Sequence, residues 1–150
     1  MRIGLISDTH GLLRPQALDA LAGVERIIHA GDIGSAAVLN ALAAIAPVDA
    51  VRGNNDTSPW ASAIPHSQTL DYGGVQIYLL HDIKELKGNM PPVQVVIAGH
   101  SHLPLVLEKD GVLCVNPGSA GPRRFTLPVT VGFLEILEGK ATATIRELAV

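Results

Sequence analysis

Short apolar runs alternate with helical patterns through the first third of the chain. The Val-, Ile- and Leu-rich runs predict strands, while two Ala- and Leu-rich segments, one opened by Pro15 and one preceded by Ser35, predict helices. In chain order we predict a strand over 2–7, a helix over 15–22, a strand over 24–29, a helix over 35–46 and a strand over 48–52. This order is typical of a sheet that begins parallel.

From position 68 onward the pattern is mostly β. The predicted strands are 68–72, 75–80, 93–98, 103–108, 112–115, 129–137 and 141–148, and turn dipeptides such as Asp110-Gly111 separate neighbouring strands. A loop over 53–66, rich in Asn, Asp, Ser and Pro, is long enough to shape the mouth of a pocket. We therefore predict one α/β domain over 1–150, with two mixed β-sheets packed face to face and flanked by helices.

Composition narrows the possible functions. Hydrophobic residues make up 47% of the chain but aromatic residues only 3%, so we expect an aliphatic core and no stacking on bases. The net charge of -3 offers no broad basic face, and long nucleic acid is not an expected partner. The single cysteine, Cys114, and the lack of an apolar run long enough for a signal peptide or a membrane span favour a soluble, cytoplasmic protein.

Five apolar runs end in a residue that can bind a metal ion. These residues are Asp8, Asp32, Asn54, His81 and His100. The carboxyl ends of strands in open α/β sheets line the crevice where ligands bind, so residues far apart in sequence can converge there. Any one of them alone has an ordinary explanation as a turn or a helix cap. Together they would require five coincidences at strand ends, which favours one shared site.

Two histidines enlarge this set. His10 follows Asp8 by two positions, and His102 follows His100 by two; on extended backbone this spacing points both side chains of a pair to the same side. Imidazole, carboxylate and amide oxygen together, without thiolate, suit Mn, Fe, Ni, Zn or Co. Asp32 has two oxygens and could bridge two cations about 3.5 to 4 Å apart.

These residues resemble the motifs of a known family. Asp8-Thr9-His10, Gly31-Asp32, Gly53-Asn54, His81 and Gly99-His100-Ser101-His102 occur in the order found in the calcineurin-like metallophosphoesterases. The small size and the run Asn116-Pro117-Gly118-Ser119 resemble the YfcE and MJ0936-type phosphodiesterase branch. The resemblance implies a four-layer metallophosphoesterase sandwich and two divalent metal ions, with manganese expected first and Ni, Zn, Fe or Co as alternatives.

The resemblance also implies roles. One metal would be bound by Asp8, His10, Asp32 and His102, and the other by Asp32, Asn54, His81 and His100. A hydroxide held between the ions would attack the phosphorus of a small phosphate ester. Among these residues Asp32, Asn54 and His100 are expected to act directly in catalysis, and Asn55 and Arg123 to contact the substrate. The natural substrate and the oligomeric state stay open.

One departure refines the expected reaction. Larger members of the superfamily have a histidine after the Gly-Asn dipeptide, which protonates the leaving group, whereas this chain has Asn55. We therefore expect a phosphodiesterase whose leaving groups need little protonation, or one that uses water or Asp56. Two alternatives remain: a non-catalytic interaction scaffold on the same fold, like the retromer subunit, and hydrolysis at a non-phosphate bond.

Overall fold

The computed structural model describes residues 1–150 and contains ten strands in two sheets of five. The strands are β1 (Arg2–Ile6), β2 (Arg26–His29), β3 (Val48–Ala50), β4 (Ser67–Tyr72), β5 (Val75–Leu80), β6 (Val95–Ile97), β7 (Leu105–Lys109), β8 (Val112–Asn116), β9 (Thr130–Leu137) and β10 (Lys140–Glu147). Each strand overlaps one predicted from the sequence, with ends that differ by a few residues.

Both sheets are mixed, as predicted. The first has the order β10-β9-β1-β2-β3, in which β1, β2 and β3 are parallel and β9 is antiparallel to β1. The second has the order β4-β5-β6-β8-β7, in which β5, β6 and β8 are parallel and the two edge strands are antiparallel. The parallel strands of each sheet therefore deliver their carboxyl ends to one edge.

Two α-helices connect the parallel strands of the first sheet. They are α1 (Pro15–Leu21), with Pro15 in its first turn, and α2 (Ala36–Ala43), and neither is long or apolar enough to cross a membrane. Ser35 occupies the N-cap position of α2, although its side chain makes no capping hydrogen bond. A Cβ on Gly4 would lie 2.6 Å from the Leu21 Cδ2 atom, so the glycine lets α1 approach β1 closely.

Three apolar layers hold these elements together. The central layer lies between the sheets, where Leu5 and Ile28 of the first pack with Ile77 and Ile97 of the second, all fully buried. The helices cover the outer face of the first sheet. The outer face of the second sheet carries a smaller cluster around Val96 and is covered only by a 3₁₀ turn and the loop after it. This asymmetry leaves part of the second sheet accessible beside the candidate site.

Candidate metal centre

Six of the seven predicted metal ligands form two adjoining groups at the carboxyl ends of the parallel strands. The first group is Asp8, His10 and His102, and the second is Asp32, His81 and His100. Within each group the candidate ligand atoms all lie within 4.8 Å of one another. The seventh residue, Asn54, joins the second group, because His100 Nδ1 lies 3.2 Å from its Oδ1 atom.

Asp32 lies between the two groups. Its Oδ2 atom is 3.2 Å from His81 Nε2 and 3.8 Å from His10 Nε2. On the other side, Asp8 Oδ1 lies 3.4 Å from His102 Nε2 and 3.8 Å from His81 Nε2. The two buried carboxylates thus face a shared set of imidazole nitrogens.

Three buried polar atoms in this centre have no hydrogen-bond partner. They are Asp8 Oδ1, His81 Nε2 and His102 Nδ1, and each belongs to a residue that is almost fully buried. Buried polar atoms without a partner are rare, because each carries an uncompensated desolvation cost of about 1 to 3 kcal/mol. A cation would satisfy two of them, Asp8 Oδ1 and His81 Nε2, which face the shared donor atoms, and the mixed nitrogen and oxygen donors suit a divalent transition metal. The residues present therefore fit the metal ions that the sequence predicted.

The backbone of the centre is unusual. Asp8, His10, Asp32, His100 and His102 all have left-handed φ angles, between 47° and 73°. The expectation that the two-residue spacing lies on extended backbone is wrong, since these residues form tight turns after the strands. Hydrogen bonds from His10 N to Asp32 O (2.9 Å) and from Gly11 N to Ile33 O (2.8 Å) hold the first turn against the second. Left-handed non-glycine residues cost about 1 to 2 kcal/mol each, and such strain concentrates at functional sites.

The two carboxylates are held in place by hydrogen bonds. Ser7 Oγ donates to Asp8 Oδ2 at 2.7 Å, and the His100 backbone N–H donates to the same atom at 3.1 Å. Burial opposes the ionisation of Asp8, but its interactions with His102 and Ser7 outweigh burial and hold the pKa of this carboxyl below its usual range.

Asn55 holds the second carboxylate. Its backbone N–H donates to Asp32 Oδ1 at 2.9 Å and its side-chain amide donates to Oδ2 at 3.1 Å. Burial opposes ionisation here too, but the interactions with His81 and Asn55 lower the pKa of Asp32 to about 2. Asp32 is therefore ionised at neutral pH, as a metal ligand must be.

His81, which follows β5, is oriented by the carbonyl group of Ala30, which follows β2 in the other sheet. Its Nδ1 atom lies 2.6 Å from the Ala30 carbonyl oxygen, so Nδ1 donates and Nε2 is directed at Asp32. Burial opposes protonation of the ring, but the Asp32 carboxylate and the Ala30 carbonyl raise the pKa of His81 above its usual value. A carbonyl that accepts from the far nitrogen of a histidine is a common support for metal-binding imidazoles.

Glycine precedes three of the candidate ligands because there is no room for a Cβ atom. On Gly31 a Cβ would lie 2.6 Å from His81 Nδ1, on Gly99 it would lie 2.8 Å from Asp8 Oδ2, and on Gly53 it would overlap the Asp32 carboxylate. Each Gly-ligand dipeptide thus makes space for a ligand delivered by another strand. This packing explains the repeated dipeptides physically.

Asp56 supports the centre in a way that the sequence did not reveal. Its side chain is 3% exposed and accepts hydrogen bonds from the backbone N–H groups of Ile33 (3.0 Å), Gly34 (3.0 Å) and Gly53 (2.9 Å). It therefore joins the loop after β2 to the loop after β3. The sequence predicts a role for Asp56 only as a source of protons, and its place in a turn-rich run gives no sign of burial.

His29 is a second supporting residue. Its Nδ1 atom accepts from the Gly31 N–H at 3.1 Å, so its Nε2 carries the proton and donates to Thr9 Oγ1 at 3.0 Å; Thr9 in turn donates to Ile33 O at 2.8 Å. Complete burial lowers the pKa of His29 to about 4. The ring is thus a neutral link between two of the loops that carry the ligands.

A polar cavity of 430 Å³ opens beside the second group. No hydrophobic residue lines it, and its walls include Arg52, Asn54, His81 and His100. Arg52 was not singled out from the sequence. Arg123, which the sequence suggested as a substrate contact, is exposed and does not line this cavity. Its side chain donates to the Leu127 carbonyl oxygen at 3.2 Å.

Comparisons with known proteins agree with the geometry. Residues 1–139 match the profile of the calcineurin-like phosphoesterase superfamily domain. A probable metallophosphoesterase of Methanothermobacter thermautotrophicus is 36% identical over 142 residues, which cover 85% of this chain and 82% of the relative. Phosphodiesterase MJ0936 of Methanocaldococcus jannaschii is 30% identical over 156 residues, covering 90% of this chain and 93% of the relative.

Solved structures share the fold. An archaeal phosphodiesterase superposes with a TM-score of 0.80 at 26% identity, over 97% of this chain and 100% of that one. Vps29 of Chaetomium thermophilum superposes with a TM-score of 0.79 at 19% identity, over 99% of this chain and 97% of that one, which shows a common fold alone. From its sequence, its fold and the donor groups at its strand ends, the chain belongs to the calcineurin-like phosphoesterase superfamily.

Proposed function

We propose that this chain is a single-domain phosphodiesterase with a dinuclear metal centre, acting on small phosphate esters. The observation that carries the proposal is the convergence of two His/Asp groups around Asp32, with two buried donor atoms that have no other partner. The family and its phosphodiesterase-named members support phosphoester hydrolysis in general.

In this proposal each cation takes four residues of the chain. The first is bound by Asp8, His10, Asp32 and His102, and the second by Asp32, Asn54, His81 and His100. When bound, the two cations would activate a water molecule as nucleophile and offset negative charge on the phosphoryl oxygens. We propose manganese as the first metal to test, because carboxylate and amide oxygens suit it and the resemblance to the family favours it.

The remaining residues of the site position these groups. Asn54 and His100 lie at the wall of the polar cavity, within reach of a phosphoryl oxygen that enters it, and Arg52 adds a positive charge to the same wall. Asn55 donates hydrogen bonds to the Asp32 carboxylate from both its backbone N–H and its side-chain amide. An amide does not transfer a proton to a leaving group at neutral pH, so we propose that aryl phosphodiesters are hydrolysed faster than alkyl ones.

The test combines metal analysis with one substitution. Purified protein is loaded with Mn²⁺, its metal content is measured, and hydrolysis of bis(p-nitrophenyl) phosphate is followed. Asp32→Ala is expected to lose bound metal and at least about 100-fold in rate. Asp71→Ala, which removes an exposed carboxylate on β4, is the matched control and is expected to keep both. Activity that survives Asp32→Ala would refute the proposal.

A second candidate is a non-catalytic interaction scaffold. The similarity to several Vps29 structures favours it, since they have the same fold over nearly the whole chain. Metal binding alone does not separate the candidates, because Vps29 of Entamoeba histolytica has been crystallised with Zn²⁺. Turnover does: metal-loaded protein that hydrolyses no phosphomonoester, phosphodiester or amide would favour the scaffold.

We further propose a reducing, cytoplasmic setting. Its support is the single cysteine, Cys114, which is buried and unpaired. The net charge of -3 supports a small phosphate ester rather than long nucleic acid as the substrate.

A further inference from the structure

An apolar cavity adjoins the polar one at the candidate metal centre. It has a volume of 340 Å³ and shares Asp82 and His100 with the polar cavity as common walls. It lies on the outer face of the second sheet, where no α-helix covers the strands. A molecule held at the metal centre therefore has a direct path into apolar surroundings.

Six of the thirteen residues that line this cavity are hydrophobic, and their side chains are buried or half-exposed. Ala98 and Cys114, on and next to the central strands, are 3% and 4% exposed and form its base. Ile83, Leu103 and Leu105 form its walls and are 38%, 51% and 45% exposed. Large apolar side chains that are this exposed and lie next to one another mark a binding surface more often than scattered exposed residues do.

The apolar surface continues away from the metal centre. A further cavity of 320 Å³ shares Ile83, Leu105 and Cys114 with the first one and extends it to Met90 and Leu107. Leu105 and Leu107 are two positions apart on β7, so their side chains stand on the same face of the strand. Together the two cavities form a groove, called here the β7 groove, between β7 and the 3₁₀ turn Ile83–Leu86.

Three cationic side chains line the β7 groove. Arg124 lines the 340 Å³ cavity that contains His100 and Asp82, Lys109 lines the further cavity, and Lys84 lines both. A purely apolar molecule would make no electrostatic interaction with these cationic side chains. A molecule with one anionic end and one apolar end would match both parts of the surface.

We propose that the β7 groove binds the apolar ester group of a phosphodiester whose phosphate lies at the metal centre. The inference rests on the proposed function and adds the class of substrate: a phosphodiester in which one ester group is a hydrocarbon chain or an aryl group. The first cavity alone is more than twice the roughly 150 Å³ that holds a benzene molecule in a protein interior. The continuation towards Leu107 gives room for a longer chain.

The first test varies only the group that would enter the β7 groove. Methyl, butyl and octyl p-nitrophenyl phosphate share one leaving group: water forms a new P–O bond, the bond to p-nitrophenolate breaks, and the protons pass to the buffer. With Mn²⁺-loaded protein, kcat/KM is expected to rise about two- to four-fold per added methylene. The double variant Leu103→Ser/Leu105→Ser is expected to lose most of this rise. The rise is measured as the ratio of kcat/KM for the octyl ester to kcat/KM for the methyl ester. Leu137→Ser, which changes a 74% exposed leucine on β9, is the control and is expected to keep the wild-type ratio.

The second test needs no turnover. Octyl phosphonate and methyl phosphonate are titrated into protein with ¹³C-labelled Ile and Leu methyl groups. Octyl phosphonate is expected to shift the methyl signals of Ile83, Leu103 and Leu105, and methyl phosphonate to leave them in place. Shifts elsewhere, or none, would overturn the inference.

The outcomes separate this inference from the proposed function. Equal kcat/KM for all three esters leaves the phosphodiesterase in place and overturns the β7 groove as an ester site. If no ester is hydrolysed, the proposed function fails, and the methyl shifts alone decide whether the β7 groove binds the octyl chain. A wild-type dimer that becomes monomeric in the double variant, with an unchanged octyl-to-methyl ratio, would assign the groove to a second copy of the chain and overturn the inference.

Discussion

The buried ring of His29 leads us to expect a specific loss of folding stability in acid. Its ring is fully buried, accepts from Gly31 and donates to Thr9, and its pKa is lowered to about 4 from an ordinary value of 6.5. For a base with a lowered pKa, the unfolded chain binds a proton at higher pH than the folded one. The stabilisation is therefore complete above about pH 6.5 and is lost as the pH falls towards 4.

The size of this effect follows from the two pKa values. The difference between 6.5 and about 4, at about 1.4 kcal/mol per pKa unit, amounts to about 3 kcal/mol. Asp32 does not obscure it: with a pKa of about 2 in the fold, its own stabilisation is lost only below about pH 4. His81, whose pKa is raised, gains stability on acidification instead, so the difference between the wild type and a His29 variant, rather than the wild-type curve alone, isolates the contribution of His29.

Urea unfolding in EDTA, followed by circular dichroism between pH 7 and pH 4, measures this loss. His29→Gln is expected to lower stability at pH 7 but to show about 3 kcal/mol less loss on acidification than the wild type. His66→Gln removes an exposed ring from the loop over 53–66 and is expected to keep the wild-type profile. A wild-type His29 signal that titrates near pH 6.5 by NMR would refute the reasoning, whether or not the variant folds.

Three further predictions concern residues around the centre. Asp56→Ala leaves three backbone N–H groups without their acceptor and is expected to lower the free energy of unfolding by about 3 kcal/mol or more; a loss below about 1 kcal/mol in urea would contradict its structural role. Gly53→Ala places a methyl group in the Asp32 carboxylate and is expected to abolish tight Mn²⁺ binding by calorimetry, whereas Gly139→Ala, at an open turn, keeps it. Asn55→Ala frees the Asp32 carboxylate and is expected to weaken Mn²⁺ binding about 10- to 100-fold in the same titration, so unchanged affinity would rule out a positioning role for Asn55.

Much of the fold could be predicted because its signals are local. Alternating apolar runs and turn dipeptides marked the strands, and Pro15 marked the start of α1. The candidate ligands could be found because parallel strands bring their carboxyl ends to one edge, so that residues such as Asp8 and Asp32 meet although the chain separates them.

Other features could not be predicted, because they depend on packing between distant segments. The left-handed turns at Asp8 and His10 are held by hydrogen bonds to the loop after β2, and nothing in the spacing of the residues signals them. The burial of Asp56 and the exposure of Leu105 follow from which loops and turns cover which face. The same holds for Arg52, which only the folded loops bring to the polar cavity.

The left-handed ligands have an evolutionary consequence. Glycine, and to a lesser degree asparagine, adopts this conformation more readily than histidine, so replacing His10 or His102 in this way would relieve about 1 kcal/mol of strain at that position. Asp8 and Asp32 differ, because their carboxylates accept hydrogen bonds that the replacement would leave unmade. Under the proposed function, selection for catalysis would keep the two histidines in place. In a descendant that no longer needed turnover, substitutions at these histidines would be favoured by stability, and the chemistry would disappear while the fold became more robust.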